Sequence, residues 1–241
     1  MIQYASYSDT GGRAHNEDSV LVKSAGERGL CAVLADGLGG HGGGDRASQA
    51  AIRVFADGWQ PDATPDELQR LAQTANMQIL SMQTPACRMK TTLVALSVSP
   101  TRFAYAFAGD SRLYHFGPDG LLWQTRDHSA SQIAVLMGQI KPSEIRFHED
   151  RSRIFRALGQ ENSPGAESGL LTPVPGRNAF LLCSDGFWEY VYEEEMEAAL
   201  RDASDPGDWI SRMRALLEQR VPPDHDNNSA IAVWYENEKK G

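Results

Sequence analysis

The sequence predicts an α+β fold whose sheets are mainly antiparallel. Three observations lead there. Successive strand-like runs lie too close together for the helical crossovers that parallel pairing needs. Runs of strands flank paired helical segments instead of alternating with them singly, which is the pattern of α+β layers. The chain has 241 residues, of which 41% are hydrophobic and 23% charged, with 22 Gly and 12 Pro. That is an ordinary globular composition, long enough for one large domain or two small ones.

The elements follow in order. Residues 2–8, 19–24 and 30–35 read as strands separated by Gly-bearing turns. A helix over about 45–57 places Ala47, Ala50, Ala51, Val54 and Phe55 on one face. A second runs from Thr64 to about Met82: Thr64 caps it, Pro65 suits the first helical position and Glu67 completes a capping box. Strands at 91–98, 102–108, 112–117 and 121–125 are rich in aromatic and branched residues, and Pro118-Asp119-Gly120 is a hairpin turn. Less regular sequence follows, with helices expected at 131–137 and 151–158. A buried strand at 178–183, helices at 193–201 and 208–220, and a strand at 229–235 complete the chain.

Charge and cysteine usage exclude several classes. The formal net charge is −9, with 32 acidic against 23 basic side chains. Binding to nucleic acid or an anionic membrane surface needs the opposite balance. The N-terminus shows no basic and apolar signal segment, and no stretch approaches the ~18–20 apolar residues of a spanning helix. Cys31, Cys87 and Cys183 have no metal-type spacing, and Cys31 and Cys183 sit in apolar runs as buried thiols do. A reducing cytoplasm is the expected location.

A recurring pattern carries the chemistry. Asp36-Gly37, Asp110-Ser111 and Asp185-Gly186 each follow an apolar run, and Asp226-Asn227 stands just before the last strand. Each alone reads more readily as an ordinary turn. Together, carboxylates at the ends of buried strands need protonation, cationic side chains or metal. All-oxygen ligands favour Mg²⁺ or Mn²⁺, and two such ions suit displacement at phosphorus. In the N-terminal loop, Arg13 stands close to Glu17 and Asp18, where it could pair a phosphate while the acids face a metal. The glycine-rich stretch 37–42 matches G-x-G-x-x-G, which in another setting marks a dinucleotide site. Asp36 before the first Gly and the absence of a second strand before Asp57 argue against that use.

In their order, these residues resemble the metal-dependent protein phosphatases of type 2C, in particular the compact bacterial serine/threonine phosphatases. The resemblance runs through Arg13-x-x-Asn16-Glu17-Asp18, Asp36-Gly37-Leu38-Gly39-Gly40-His41, Thr91-Thr92, Gly109-Asp110-Ser111-Arg112, Thr125-x-Asp127-His128-Ser129, Arg156-Ala157-Leu158-Gly159, Ser184-Asp185-Gly186 and Asp226-Asn227. It spans essentially the whole chain, so a single domain over 1–241 is expected, with a variable flap at about 129–165. The resemblance implies a four-layer αββα sandwich with a metal cleft at one end. It implies two or three Mn²⁺ or Mg²⁺ ions. Asp36 would bridge two of them, with the Gly37 carbonyl, Asp185 and Asp226 as further ligands. Asp18 and Glu17 would act through water, and Asp110 would help hold a third ion. It implies that Arg13 binds the substrate phosphate, that a hydroxide held between two metals attacks phosphorus, and that a histidine protonates the departing oxygen. His41 is the expected acid and His15 the runner-up; His128 is expected to organise its turn, while His115 and His148 carry no functional signal.

The chain departs from the family pattern at Leu38, Lys90, Asp45 and Ser229, and within the flap around His148. The implied partners are phosphoserine or phosphothreonine proteins and a cognate bacterial kinase pathway, with no nucleic acid or membrane; a monomer is expected. The short chain and the segment 184–191 also resemble phosphatases associated with type VI secretion. The competing functions are a phosphoprotein-binding pseudophosphatase and a dinucleotide-dependent oxidoreductase. Two bound divalent ions would reduce the formal charge from −9 to −9 + 4 = −5.

Overall fold

A computed structural model describes residues 1–38, 42–161 and 165–237. Its strands are β1 (Ile2–Asp9), β2 (Asp18–Ser24), β3 (Leu30–Leu38), β4 (Lys90–Thr91), β5 (Leu93–Val98), β6 (Phe103–Ala108), β7 (Arg112–Gly117), β8 (Gly120–Gln124), β9 (Glu167–Leu171), β10 (Gly176–Cys183) and β11 (Asn228–Asn237). The helices are α1 (Gly44–Gly58), α2 (Pro65–Met82), α3 (Ala130–Leu136), the single turn α4 (Asp185–Trp188), α5 (Glu193–Asp202) and α6 (Pro206–Glu218). One sheet runs β1-β11-β10-β7-β8; the other runs β2-β3-β5-β6-β9, with β4 paired to the end of β3. Every described strand pair is antiparallel, which removes the βαβ unit that the dinucleotide reading requires.

The four layers follow from strands that are apolar on both faces. In β3, Leu30, Ala32 and Leu34 point between the sheets, where they meet Leu96, Phe103, Phe180, Ile231 and Val233. The alternate residues Cys31, Val33 and Ala35 face α1 and α2, packing with Ala47, Ala51, Phe55, Leu68 and Ala72. Period-two geometry divides one continuous apolar run between two cores. On the other sheet, Ala179, Leu181 and Cys183 do the same against Trp209, Met213 and Trp188. Burial pushes the thiols of Cys31 and Cys183 well above the usual range.

Local sequence signals hold where they are strong. Thr64 Oγ1 accepts from the Glu67 amide, the Thr64 amide donates to Glu67 Oε2, and Pro65 opens α2. The turn at 118–119 closes β7 on β8 with Gly117 opposite Gly120. The helix expected at 151–158 is absent, and its amides serve distant partners. Phe155 donates to the His128 carbonyl, and Leu158 and Thr91 exchange backbone bonds at 2.9 and 3.1 Å. A short 3-10 turn at Pro142–Phe147 stands earlier in the same segment. Strand β9 and the turn α4 carry no sequence signal that marked them in advance. The run expected as one strand at 91–98 is divided at Thr92: its amide keeps the ladder bond to the Asp36 carbonyl, but the Asp36 amide donates to Thr92 Oγ1. No described helix is long and apolar enough to cross a membrane.

Phe180 is fully buried between the sheets, edge-to-face with Phe103 at 5.2 Å and stacked on His115 at 4.6 Å. Phe180→Ala is expected to lower unfolding free energy by about 3–5 kcal/mol in a denaturant titration; a loss below about 1 kcal/mol would contradict this packing.

Candidate active site

One end of the sandwich gathers acidic residues from five separate stretches of chain. Asp18 opens β2 and lies directly opposite Asp36 of β3 in the antiparallel register, so both side chains emerge on one face. Asp110 follows β6, Asp185 follows β10, and Asp226 precedes β11. A cleft of about 400 Å³ is lined by Asp36, Asp110, Asp185 and Asp226, with Arg13, His15, Glu17 and Gly37 around them. Asp18 lies behind the cleft, nearly inaccessible. The structure thus brings Asp18, Glu17, Asp36, Gly37, Asp110, Asp185, Asp226 and Arg13 to one place. His41 lies outside the described residues. His15 is exposed on the cleft wall.

The surrounding residues explain how the chain holds this geometry. The Asp36 carbonyl accepts from Thr91 Oγ1 and from the Thr92 amide, both at 2.8 Å, and the Asp36 amide donates to Thr92 Oγ1 at 2.9 Å. Ser184 Oγ donates to Asp18 Oδ2 at 2.9 Å and accepts from the Ser229 amide at 3.0 Å. Asn227 clasps the N-terminal loop. Its Oδ1 accepts from the Glu17 amide at 2.8 Å, and its Nδ2 donates to the carbonyls of Thr10 and His15. Gly186 is required by close approach, because a Cβ there would meet the Asn227 carbonyl oxygen at 2.2 Å. The same holds for Gly37, where a Cβ would meet the Gly44 backbone at 2.3 Å.

Electrostatics are unfavourable for carboxylates alone. Burial, followed by repulsion from Asp18 and Asp185, pushes Asp36 well above the usual carboxylate range. Burial and the nearby Asp185 do the same to Asp110. Asp18 is pushed up to about 7, chiefly by burial, and Asp185 to about 6 by burial and then by Asp226. Glu17 is raised by burial and by Asp45 and Asp226. Crowding of Asp36, Asp185 and Asp226 favours a retained proton or a bound cation among them. The buried oxygens Asp18 Oδ1 and Asp110 Oδ1 have no hydrogen-bond partner. Orphaned oxygens and mutually repelling carboxylates fit hard divalent cations, which take oxygen ligands and keep several waters. Among the described residues, no group of three or more His, Cys, Asp or Glu side chains is gathered closely enough to hold a metal ion. The open cleft leaves room for water to complete a coordination shell.

Behind the acids lies a network that sequence reasoning did not assign. Arg112 is buried and makes a bidentate pair with Asp127 at 2.8 and 2.7 Å. Its guanidinium stacks on Trp188 at 3.5 Å, and the Trp188 indole donates to the Asp110 carbonyl at 2.9 Å. Arg146 reaches Glu193 at 2.6 Å, and Glu193 also accepts from Arg112 and Tyr114. His128, expected to organise its own turn, ties that turn to the loop after β6: Nδ1 accepts from the Gly109 amide at 3.0 Å and the ring stacks on Phe107. The strand-end position of Asp127 was visible in the sequence, but its pairing with Arg112 was not. Glu189, raised to about 7 mainly by burial, and its partner Arg151 at 2.7 Å gave no signal either.

The family model for protein phosphatase 2C matches residues 8–222. The chain belongs to the protein phosphatase 2C family. The serine/threonine phosphatase Stp of Listeria innocua is 33% identical over 199 residues, covering 78% of this chain and 79% of its own. The crystal structure of the PstP catalytic domain in complex with two manganese ions superimposes with a TM-score of 0.79 at 31% identity, covering 96% and 97% of the two chains. PppA of Pseudomonas aeruginosa, described as a key regulatory component of type VI secretion, gives a TM-score of 0.77 at 28% identity, with 96% of each chain covered. By family and by these likenesses the chain is a protein serine/threonine phosphatase.

The raised carboxyl pKa values fix the sign of a pH effect. A carboxyl that binds its proton more tightly when folded stabilises the fold only while protonated. Chelator-treated protein should therefore lose stability as pH climbs from about 4, the unfolded value, through the folded values near 6 and 7 of Asp185 and Asp18. Thermal melts across pH 5–8 should show this fall, and added Mn²⁺ should remove most of it. A melting temperature that rises with pH without metal would contradict the assignment.

Proposed function

We propose that the chain is a metal-dependent phosphatase acting on phosphoserine and phosphothreonine proteins. In this reading it works as a single domain and a monomer, using two or three Mn²⁺ or Mg²⁺ ions. The observation that carries the proposal is the convergence of Asp36, Asp110, Asp185 and Asp226 on one cleft with Asp18 behind it, and with buried oxygens of Asp18 and Asp110 left unpartnered. Asp36, Asp185, Asp226 and the Gly37 carbonyl would hold the ions directly, Asp18 and Glu17 through water, and Asp110 the third. Divalent ions bound there supply Lewis acidity, which makes hydroxide available near neutral pH and offsets phosphate charge.

The chain's own side chains do the rest. Arg13 pairs with Asp226 at 3.0 Å through Nη2, and both groups are exposed. An exposed pair contributes only about 0–1 kcal/mol, so the guanidinium can turn to a substrate phosphate at little cost. There its planar fork suits two phosphate oxygens. Asn227 keeps Arg13 at the cleft by tying the loop at Thr10, His15 and Glu17. His41, from its place in the glycine-rich stretch after β3, protonates the departing serine or threonine oxygen, since imidazole titrates near working pH. His15 on the cleft wall is the alternative donor. Likeness to PppA over nearly the full length supports a place in type VI secretion control, opposing a serine/threonine kinase. The retained carboxylates argue against a pseudophosphatase.

Asp36→Asn and Asp185→Asn should each cut Mn²⁺-dependent turnover of p-nitrophenyl phosphate by orders of magnitude and weaken Mn²⁺ binding by calorimetry. Unchanged turnover at saturating Mn²⁺ would refute these ligands, and a wild-type protein inactive over a range of metals would sink the enzymatic reading. His41→Ala should slow phosphoserine-peptide hydrolysis far more than p-nitrophenyl phosphate hydrolysis, because nitrophenolate leaves without protonation. Equal losses on both substrates would exclude it as the proton donor.

A further inference from the structure

A second, larger hollow of about 620 Å³ lies between the end of α2, β4 and the segment after Leu158. Gln83, Thr84, Arg88, Lys90, Gln160 and Glu161 line it. Its floor is built rather than incidental. Gln83 Nε2 donates to the carbonyls of Met89 at 2.8 Å and Gly159 at 2.7 Å, and Asn76 Oδ1 accepts from the Gly159 amide at 2.8 Å. Gly159 sits at φ +86°, and a Cβ there would strike the Met89 carbonyl oxygen at 2.6 Å. Lys90 stands directly opposite Leu38 in the β3–β4 register, and Leu38 lines the acidic cleft. Paired strands lie about 4.8 Å apart, so the hollow adjoins the cleft across one strand pair.

Among the described residues, Arg88 and Lys90 find no ion-pair or side-chain hydrogen-bond partner, although the chain carries a net charge of −9 and pairs many other arginines with acids. Glu161 is the one carboxylate among the lining residues. We propose that this hollow is a specificity subsite that binds acidic residues flanking the phosphorylated residue of a protein substrate. Two unpaired cations on a fixed floor complement carboxylate side chains. A substrate strand that leaves the cleft over Leu38 reaches Lys90 within about three residues at ~3.3–3.6 Å each. The inference rests on the phosphatase reading above and adds to it which phosphoproteins are preferred.

The test compares steady-state hydrolysis of matched phosphothreonine peptides, with Asp/Glu or with Ser/Ala at the positions on either side, in Mn²⁺ at low salt. The wild-type protein should favour the acidic peptide by about five-fold in kcat/KM, mainly through KM, and the preference should shrink with added salt. Arg88→Gln with Lys90→Gln should bring the ratio to about one. Lys90→Arg should keep it, and Glu161→Gln should raise it. Turnover of p-nitrophenyl phosphate, which has no flanking residues, should stay at the wild-type level in all of these variants. A wild-type protein without preference, or one whose preference survives in the double variant, would overturn the subsite. A wild-type protein inactive on every substrate would instead overturn the phosphatase reading on which it rests.

Discussion

Asp18, Asp36, Asp110 and Asp185 crowd one end of a β-sandwich, the first and third buried and the other two on the cleft, and their mutual repulsion is the constraint on which the rest of the site depends. Each carboxyl holds its proton more tightly than a free aspartate. Among the described residues, none of these four carboxylates forms an ion pair with a cation of the protein. Arg13 stands at the rim on Asp226, and Arg151 is taken up by Glu189. Relief is left to charge from outside, and the same imbalance that costs stability in the bare fold provides affinity for divalent ions.

Holding repelling groups in place requires rigidity around them. Thr91 and Thr92 fix the backbone of Asp36 by three hydrogen bonds, and Ser184 ties Asp18 to the start of β11. Close packing at Gly37 and Gly186 leaves no room for a side chain. Behind them, Arg112 and Asp127 form a buried pair in which each charge is met within the protein, and Trp188 links that pair to the backbone of Asp110. The two charge arrangements differ in kind. The compensated one positions the second, and breaking a buried pair of this sort typically costs about 3–5 kcal/mol. The motif residues around Arg112 and His128 thus have structural reasons to be there, distinct from the acids at the cleft.

The surface beyond the cleft is divided by charge. The cleft concentrates negative charge, while Arg88 and Lys90 stand unpaired one strand pair away. Lys90 is one of the positions at which the chain departs from the pattern of the family it resembles. In a chain of net charge −9, a positive spot beside a negative cleft gives an extended acidic substrate a direction of approach.

Much of this protein was legible in its sequence. Alternating apolar runs, the capping box at Thr64 and the turn at 118–120 gave elements where the structure has them, because those signals depend on a few neighbouring residues. The aspartates at the strand ends were legible for a related reason: an acid beside an apolar run is visible without knowing its neighbours. Other features depended on contacts between distant segments. The helix expected at 151–158 gave way because Thr91 and His128 claim its amides. The partner of Arg112, the clasp made by Asn227 and the hollow beside Lys90 arise from strand register and from segments far apart in the chain. Local sequence determined the element types where capping, turn and alternation signals were strong, and the chemical identity of the acids. Only tertiary structure decided which acids meet and which cations stay unpaired, since that depends on long-range packing that no short stretch encodes.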